Sequence, residues 1–226
     1  MISENLKKVE EKIAETCSKC GRNPSEIRLI AVSKTQPADV IGEILKAGIK
    51  DLGENKAQEL RSKSELITGD FRWHFIGHLQ TNKVKYIIDS AEFIHALDSI
   101  KLAEEIDRKA GQISKRQNVL LEIKTSEEES KFGLENEDEI FRLLEFCSKS
   151  RNLNLSGLMT MAEFTEDFKV VRKCFSKLRE LKEKINKNGF TLTELSMGMT
   201  NDFELAIEEG ATMLRIGTAI FGERNY

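Results

Sequence analysis

Short apolar runs alternate along this chain with stretches whose apolar residues recur at helical spacing. Leu6, Val9, Ile13 and Ala14 follow that spacing and predict an N-terminal helix over about 4–17. Gly21-Arg22-Asn23-Pro24 ends it. A buried strand follows over 28–33, then a helix from Pro37 to Lys46, with Pro37 in a first turn where its missing N–H is no loss. Further strands are predicted over 51–54, 71–76, 91–97, 119–123, 153–159, 192–195 and 212–216. Helices are predicted between them over 55–67, 80–88, 99–110, 136–149, 165–187 and 201–209. Strands alternating with helices in this regular way read as a closed parallel (β/α)8 TIM barrel. The reading is an α/β fold, a single domain over 1–226 with an extra N-terminal helix. An open doubly wound sheet is the alternative, but the chain has neither GxGxxG nor GxxxxGK[ST] to mark its crevice.

Composition narrows the function. The net charge is −3, and lysines are interspersed with glutamates, so there is no nucleic-acid footprint. No apolar run reaches membrane-spanning length. The first residues lack a signal-peptide pattern, so a cytoplasmic protein, monomeric by default, is expected. Cys17-Ser18-Lys19-Cys20 is a CxxC at a predicted helix end. It has no preceding strand and no second CxxC, so it reads as incidental thiols and not as a redox or metal site.

Chemistry in such barrels gathers at the C-terminal strand ends. Strand alternation puts Ile30, Val32 and Lys34 on one face, so Lys34 ends an inward aliphatic row. Poor solvation there makes the neutral amine accessible and nucleophilic. The bland alternative is a lysine that snorkels out of the strand end. Two turns, Ser196-Met197-Gly198-Met199-Thr200 and Gly217-Thr218, follow the seventh and eighth strands, where these barrels bind phosphate. Gly198 and Gly217 allow close backbone approach there, although ordinary turn chemistry would also use them. Arg215 shares its parity with Met213 and points into the mouth. Its partner is either a barrel acid such as Glu122 or Glu194, or a ligand acceptor. An amine, a phosphate site and a buried arginine in one mouth suit an aldehyde-bearing phosphate ester, and pyridoxal 5′-phosphate satisfies all three.

Several segments carry a family likeness: Ala31-Val32-Ser33-Lys34-Thr35, Gly53-Glu54-Asn55, the run Trp73 to Lys83, Lys131-Phe132-Gly133, Gly157-Leu158-Met159-Thr160-Met161, Ser196-Met197-Gly198-Met199 and Arg215-Ile216-Gly217-Thr218. Over about 28–222 the chain resembles the YggS/PROSC family of pyridoxal phosphate homeostasis proteins. The resemblance implies a barrel like the N-terminal domain of alanine racemase, with an internal aldimine on Lys34. It implies that Ser196, Gly217 and Thr218 hold the phosphate and that Arg215 faces the pyridine nitrogen. It also implies that Asn55, His78 and Met199 line the pocket. Lys56, where the family commonly has tyrosine, and Thr200, often serine, depart from the pattern.

Arginine donates to a ring nitrogen but does not readily protonate it, which leaves a weak electron sink. Two-base racemization needs a second base opposite Lys34. In enzymes like alanine racemase a tyrosine from another domain of a partner subunit provides it, whereas this chain has only Tyr86 and Tyr226. The expectation is a non-catalytic carrier of pyridoxal phosphate in vitamin B6 homeostasis, with apo forms of pyridoxal phosphate enzymes as acceptors. The rivals are a weak amino-acid racemase or lyase, and a Schiff-base aldolase, which would leave Arg215 without a role.

Overall fold

Eight parallel strands pair in sequence order, and the last pairs with the first to close a barrel. They are β1 (Arg28–Val32), β2 (Asp51–Glu54), β3 (Arg72–Phe75), β4 (Ala91–Leu97), β5 (Gln117–Glu122), β6 (Leu153–Met159), β7 (Glu194–Ser196) and β8 (Met213–Ile216). This computed structural model describes residues 2–128 and 131–223. The helices are α1 (Ile2–Lys19), α2 (Ala38–Lys46), α3 (Ala57–Leu66), α4 (Ile100–Gln112), α5 (Glu137–Lys149), α6 (Phe168–Lys187), α7 (Phe203–Glu208) and α8 (Thr218–Phe221). Among the described residues no helix is long and apolar enough to cross a membrane.

Local chemistry sets the helix starts. Ser99, Asn136 and Asp167 each accept a backbone N–H of the helix that follows. Packing then divides the apolar side chains into two layers. The larger lies between strands and helices and includes Leu52, Trp73, Phe75, Ile94 and Phe175. The smaller fills the barrel: Ile30, Phe93, Leu120, Met159 and Met213, all on inward strand positions. The extra helix α1 buries Leu6, Val9, Ile13 and Cys17, and Asn5 ties it to the Ile220 carbonyl in α8 at 3.1 Å.

The structure corrects the sequence reading in four places. The chain over 80–88 forms a 3-10 helix, Thr81–Tyr86, because Val84 and Ile87 bury equally well at a spacing of three. Strand β7 starts at Glu194, since the Asn186 side chain takes both the Leu192 N–H and its carbonyl away from the ladder. Helix α8 was not foreseen. Lys34 is not the last residue of a strand, because β1 stops at Val32. The Gln36 N–H closes a turn on the Ser33 carbonyl at 2.9 Å, with Thr35 at φ 67°. Tyr226 lies outside the described residues.

Candidate functional site

A buried ionic cluster holds the turn that carries Lys34. Lys63, from α3, donates to Glu54 Oε1 at 2.7 Å, to Glu59 Oε1 at 2.7 Å and to the Ser33 carbonyl at 2.8 Å. The Ser33 hydroxyl donates to Glu54 at 2.7 Å, and the Thr35 N–H donates to Glu59 at 2.6 Å. The residues on both sides of Lys34 are therefore tied to one set of charges. Burial pushes the Glu54 carboxyl up against the pull of Lys63 and Ser33. Lys34 itself is half-buried. Ile30 pairs with Arg215 and Ala31 with Ile216, so the chain leaving β1 runs beside the Gly217-Thr218 turn.

Arg215 is 4% exposed, and among the described residues no carboxylate lies within ion-pair distance of it. Its Nη1 donates to Ser196 Oγ at 2.6 Å and its Nη2 to the Thr160 carbonyl at 2.8 Å. Burial pushes the guanidinium down to about 10 while the Asp202 and Glu122 carboxylates oppose this, so it stays charged at neutral pH. A guanidinium has five N–H donors, and a buried one bonded to two neutral oxygens retains donors for a ligand acceptor. Behind Ser196 the polar contacts continue inside the barrel. Ser196 Oγ lies 2.8 Å from His95 Nδ1, His95 Nε2 lies 3.0 Å from His74 Nδ1, and His74 Nε2 lies 2.8 Å from Asp51 Oδ1.

The turns after β7 and β8 meet at the mouth. Gly198 sits at φ 92°, and a Cβ there would lie 2.6 Å from the Ala206 Cβ, so this glycine is required by packing against α7. Its carbonyl accepts the Arg215 N–H at 3.0 Å. Thr200 Oγ1 accepts the Ala219 N–H at 3.3 Å, at the start of α8, which places a hydroxyl beside Gly217 and Thr218. Asn55 is half-buried, with its backbone packed so closely on Gly77 that a Cβ at 77 would lie 2.3 Å from the Asn55 carbonyl oxygen. His78 stacks on Phe132 with ring centroids 4.0 Å apart and faces Asp98 at 3.4 Å. Met199 is 37% exposed. Glu122, inward on β5 and 2% exposed, leaves Oε2 without a hydrogen bond. Burial, with the Asp98 charge, pushes its carboxyl up to about 7 although Arg215 opposes this.

Comparison with known proteins agrees with this geometry. Residues 5–225 match the family described as "Alanine racemase, N-terminal domain". A pyridoxal phosphate homeostasis protein of Aquifex aeolicus is 44% identical over 99% of this chain and 98% of its own length. The chain belongs to this family. PipY of Synechococcus elongatus, solved with pyridoxal phosphate bound, superposes with a TM-score of 0.85 at 32% identity over 98% of this chain and 100% of that one. An alanine racemase of Clostridium difficile shares the fold, with a TM-score of 0.75 at 16% identity, and the match spans 58% of that chain.

Set against this family, the structure gathers Lys34, Arg215, Gly217 and Thr218 at one mouth, with Asn55, His78 and Met199 on their own strand exits. Among the described residues the Ser196 hydroxyl makes no hydrogen bond to the turns of Gly198 and Gly217. Ser196 is fully buried and engaged by Arg215 and His95. Nor does Arg215 pair with Glu122 or Glu194; the Glu194 carboxylate takes the Thr212 hydroxyl at 2.6 Å. The sequence reading overlooked the Glu54, Glu59 and Lys63 cluster and the role of Asp51, His74 and His95. For Asp51, His74 and His95 the signal was inward parity: a polar residue at an inward position of a barrel strand needs a partner across the barrel.

Proposed function

We propose that this protein binds pyridoxal 5′-phosphate at the C-terminal mouth of its barrel and serves vitamin B6 homeostasis by holding and releasing it. The observation that carries the reading is Arg215, a buried cation whose partners are the neutral oxygens of Ser196 and Thr160. Such a group suits an uncharged acceptor such as a pyridine nitrogen. Lys34, in its clamped turn, supplies the amine for covalent attachment. Gly217 and Thr218 hold the phosphate together with Thr200. The Thr200 oxygen already accepts the Ala219 N–H, so its own proton is available to a phosphate oxygen. Ser196 serves the ring end of the site through Arg215. Asn55, His78 and Met199 form the rim. When bound, the cofactor supplies an aldehyde and an electron-accepting ring. Arg215 keeps its own proton and so leaves that ring a weak sink, which supports carrier function over catalysis. Homeostasis proteins similar to it in sequence support the same reading.

A second reading, a weak amino-acid racemase or lyase, draws on Glu122. A buried carboxyl that titrates near 7 in the mouth is a candidate base, which the sequence reading did not supply. The two readings separate in one experiment. Loaded protein is mixed with a panel of amino acids while chirality and keto-acid formation are followed, and in parallel with an apo form of a pyridoxal phosphate enzyme. The carrier reading expects negligible turnover and reactivation of the apo-enzyme. Turnover on the order of 1–10³ per second would make the protein an enzyme. Retention of the cofactor against every acceptor would remove the carrier role.

A further inference from the structure

A line of polar side chains runs through the barrel from the N-terminal end of β2 to the C-terminal mouth. Arg72 holds both oxygens of Asp51 at 2.7 Å. His74, His95 and Ser196 follow at 2.8, 3.0 and 2.8 Å, and Arg215 closes the line at 2.6 Å. His74, His95 and Ser196 are fully buried. From Asp51 onward each link connects a different pair of strands, so no local turn explains the line.

The chemistry of the groups gives the line one direction. Against burial, the hydrogen bonds from His74 and Arg72 hold the Asp51 carboxyl at about 2, so at neutral pH it is a carboxylate and can only accept. His74 Nε2 therefore carries a proton. Burial pushes His74 down and His95 well down, so both rings are neutral and each has one N–H. With Nε2 protonated, His74 Nδ1 is an acceptor, and the proton between the rings belongs to His95 Nε2. His95 Nδ1 is then an acceptor as well, and the Ser196 hydroxyl must donate to it. That commits the only proton of Ser196 inward and leaves its lone pairs to Arg215 Nη1. If His74 were doubly protonated, the His74–His95 and His95–Ser196 links would reverse, while His74 would still donate to Asp51 and Arg215 to Ser196, and Ser196 would turn its O–H toward the mouth. The Asp51 carboxylate favours a charged His74, whereas burial, with Arg28 and Arg72 at the lower end and Arg215 at the upper, favours neutral rings and prevails.

We propose that Asp51 is a positioning residue for Arg215: through His74, His95 and Ser196 it sets a one-way hydrogen-bond relay that fixes the guanidinium from the far end of the barrel. The link to the cofactor rests on Arg215 facing the ring nitrogen, as proposed above; the direction of the relay does not. Ser196 thus acts on the ring end of the ligand, and the phosphate turns do without its hydroxyl.

Nitrogen NMR of the full chain with 15N-labelled histidine, free of cofactor and at neutral pH, reads the direction. The exposed His78 serves as an internal reference. The relay requires neutral His74 and His95, both protonated on Nε2. A proton on Nδ1 of either ring, or a doubly protonated ring, overturns it, whether or not any variant folds. Asp51→Asn should scramble both tautomers, whereas Arg72→Lys, which weakens the ion pair but leaves the carboxylate, should preserve them. Scrambling in both variants, or in neither, removes Asp51 as the cause. In the second arm pyridoxal phosphate is titrated into wild type, Asp51→Asn and His95→Leu, which cuts the relay and keeps the Asp51–Arg72 pair. Both variants should bind about tenfold more weakly, with a shifted absorption band, and Arg72→Lys should match wild type. Unchanged affinity and band in His95→Leu would end the coupling to Arg215. If wild-type protein shows the required tautomers but binds no pyridoxal phosphate, the proposed function fails and the relay stands.

Discussion

Two buried polar networks flank the mouth, and they are built on different physics. The cluster of Lys63, Glu54 and Glu59 lies under α3 and is ionic, with the Lys63 and Glu54 side chains 10% and 0% exposed. The line from Asp51 to Arg215 runs inside the barrel and is neutral between its ends. An ionic cluster is strong but has no direction; it holds whatever backbone it touches, here the Ser33 carbonyl and the Thr35 N–H. A chain of neutral donors and acceptors is weaker per link but carries orientation, because each group has one proton to give. Lys34 is thus placed through the backbone on either side of it. Arg215 is placed through its own side chain.

Loss of the amine should have the largest effect. Lys34→Ala should abolish the borohydride-trapped adduct and the visible band of lysine-bound cofactor, while weak noncovalent binding survives through the phosphate turns. Peptide mapping checks this, and an adduct on Lys56 or Lys83 would refute the assignment. The ionic network comes next. Lys63→Met leaves Glu54 and Glu59 without their cation, a loss of about 3–5 kcal/mol that urea unfolding would measure. If the cluster acts only through charge balance, adding Glu54→Met should recover most of that loss. No recovery would mean that the cluster is needed for the geometry of the turn.

The phosphate turns should come third. Thr200→Val removes one hydrogen bond to a charged group, about 1.5–3 kcal/mol, so pyridoxal phosphate should weaken roughly ten- to a hundredfold while pyridoxal is unchanged. Ser196→Ala should weaken both ligands alike, because it acts through Arg215. The opposite pattern in isothermal titration would return Ser196 to the phosphate. The smallest effect is a pH dependence. Glu122 is raised in the folded state from 4.5 to about 7, so its contribution to stability is full below about pH 4.5 and is lost as pH rises through about 7. Glu122→Gln should therefore match the parent at about pH 4 and be roughly 1–3 kcal/mol more stable at about pH 8. Equal stability at both pH values would show that the carboxyl titrates normally.

Much of the mouth was legible because barrel geometry is periodic. Lys34, Arg215 and the two glycine turns fall at strand ends, and strand ends can be read from apolar runs. At Lys34 parity was carried two residues past β1, beyond the ladder, which ends at the Ser33 N–H where a turn begins. The Ser196 hydroxyl and the Thr200 hydroxyl were both visible four residues apart. What each of them meets depended on distant parts of the chain: Ser196 lies against His95, 101 residues away, and Thr200 takes the Ala219 N–H. The Lys63 cluster was hidden for the same reason, since Lys63 looks like a solvated residue on a surface helix until β2 places Glu54 beneath it.

By itself the sequence determined the closed α/β barrel and the strand ends that carry Lys34 and Arg215, and its motifs carried the family likeness. The barrel and its strand ends rest on local periodicity and turn chemistry, which act over a few residues and do not depend on what packs across the barrel. The tertiary structure alone decided which groups the Ser196 and Thr200 hydroxyls meet, what grips the Lys34 turn and which side chains stand between Asp51 and Arg215. Each of those is a choice among donors and acceptors brought together by strand pairing. A hydrogen bond has no preference until its partner is in place.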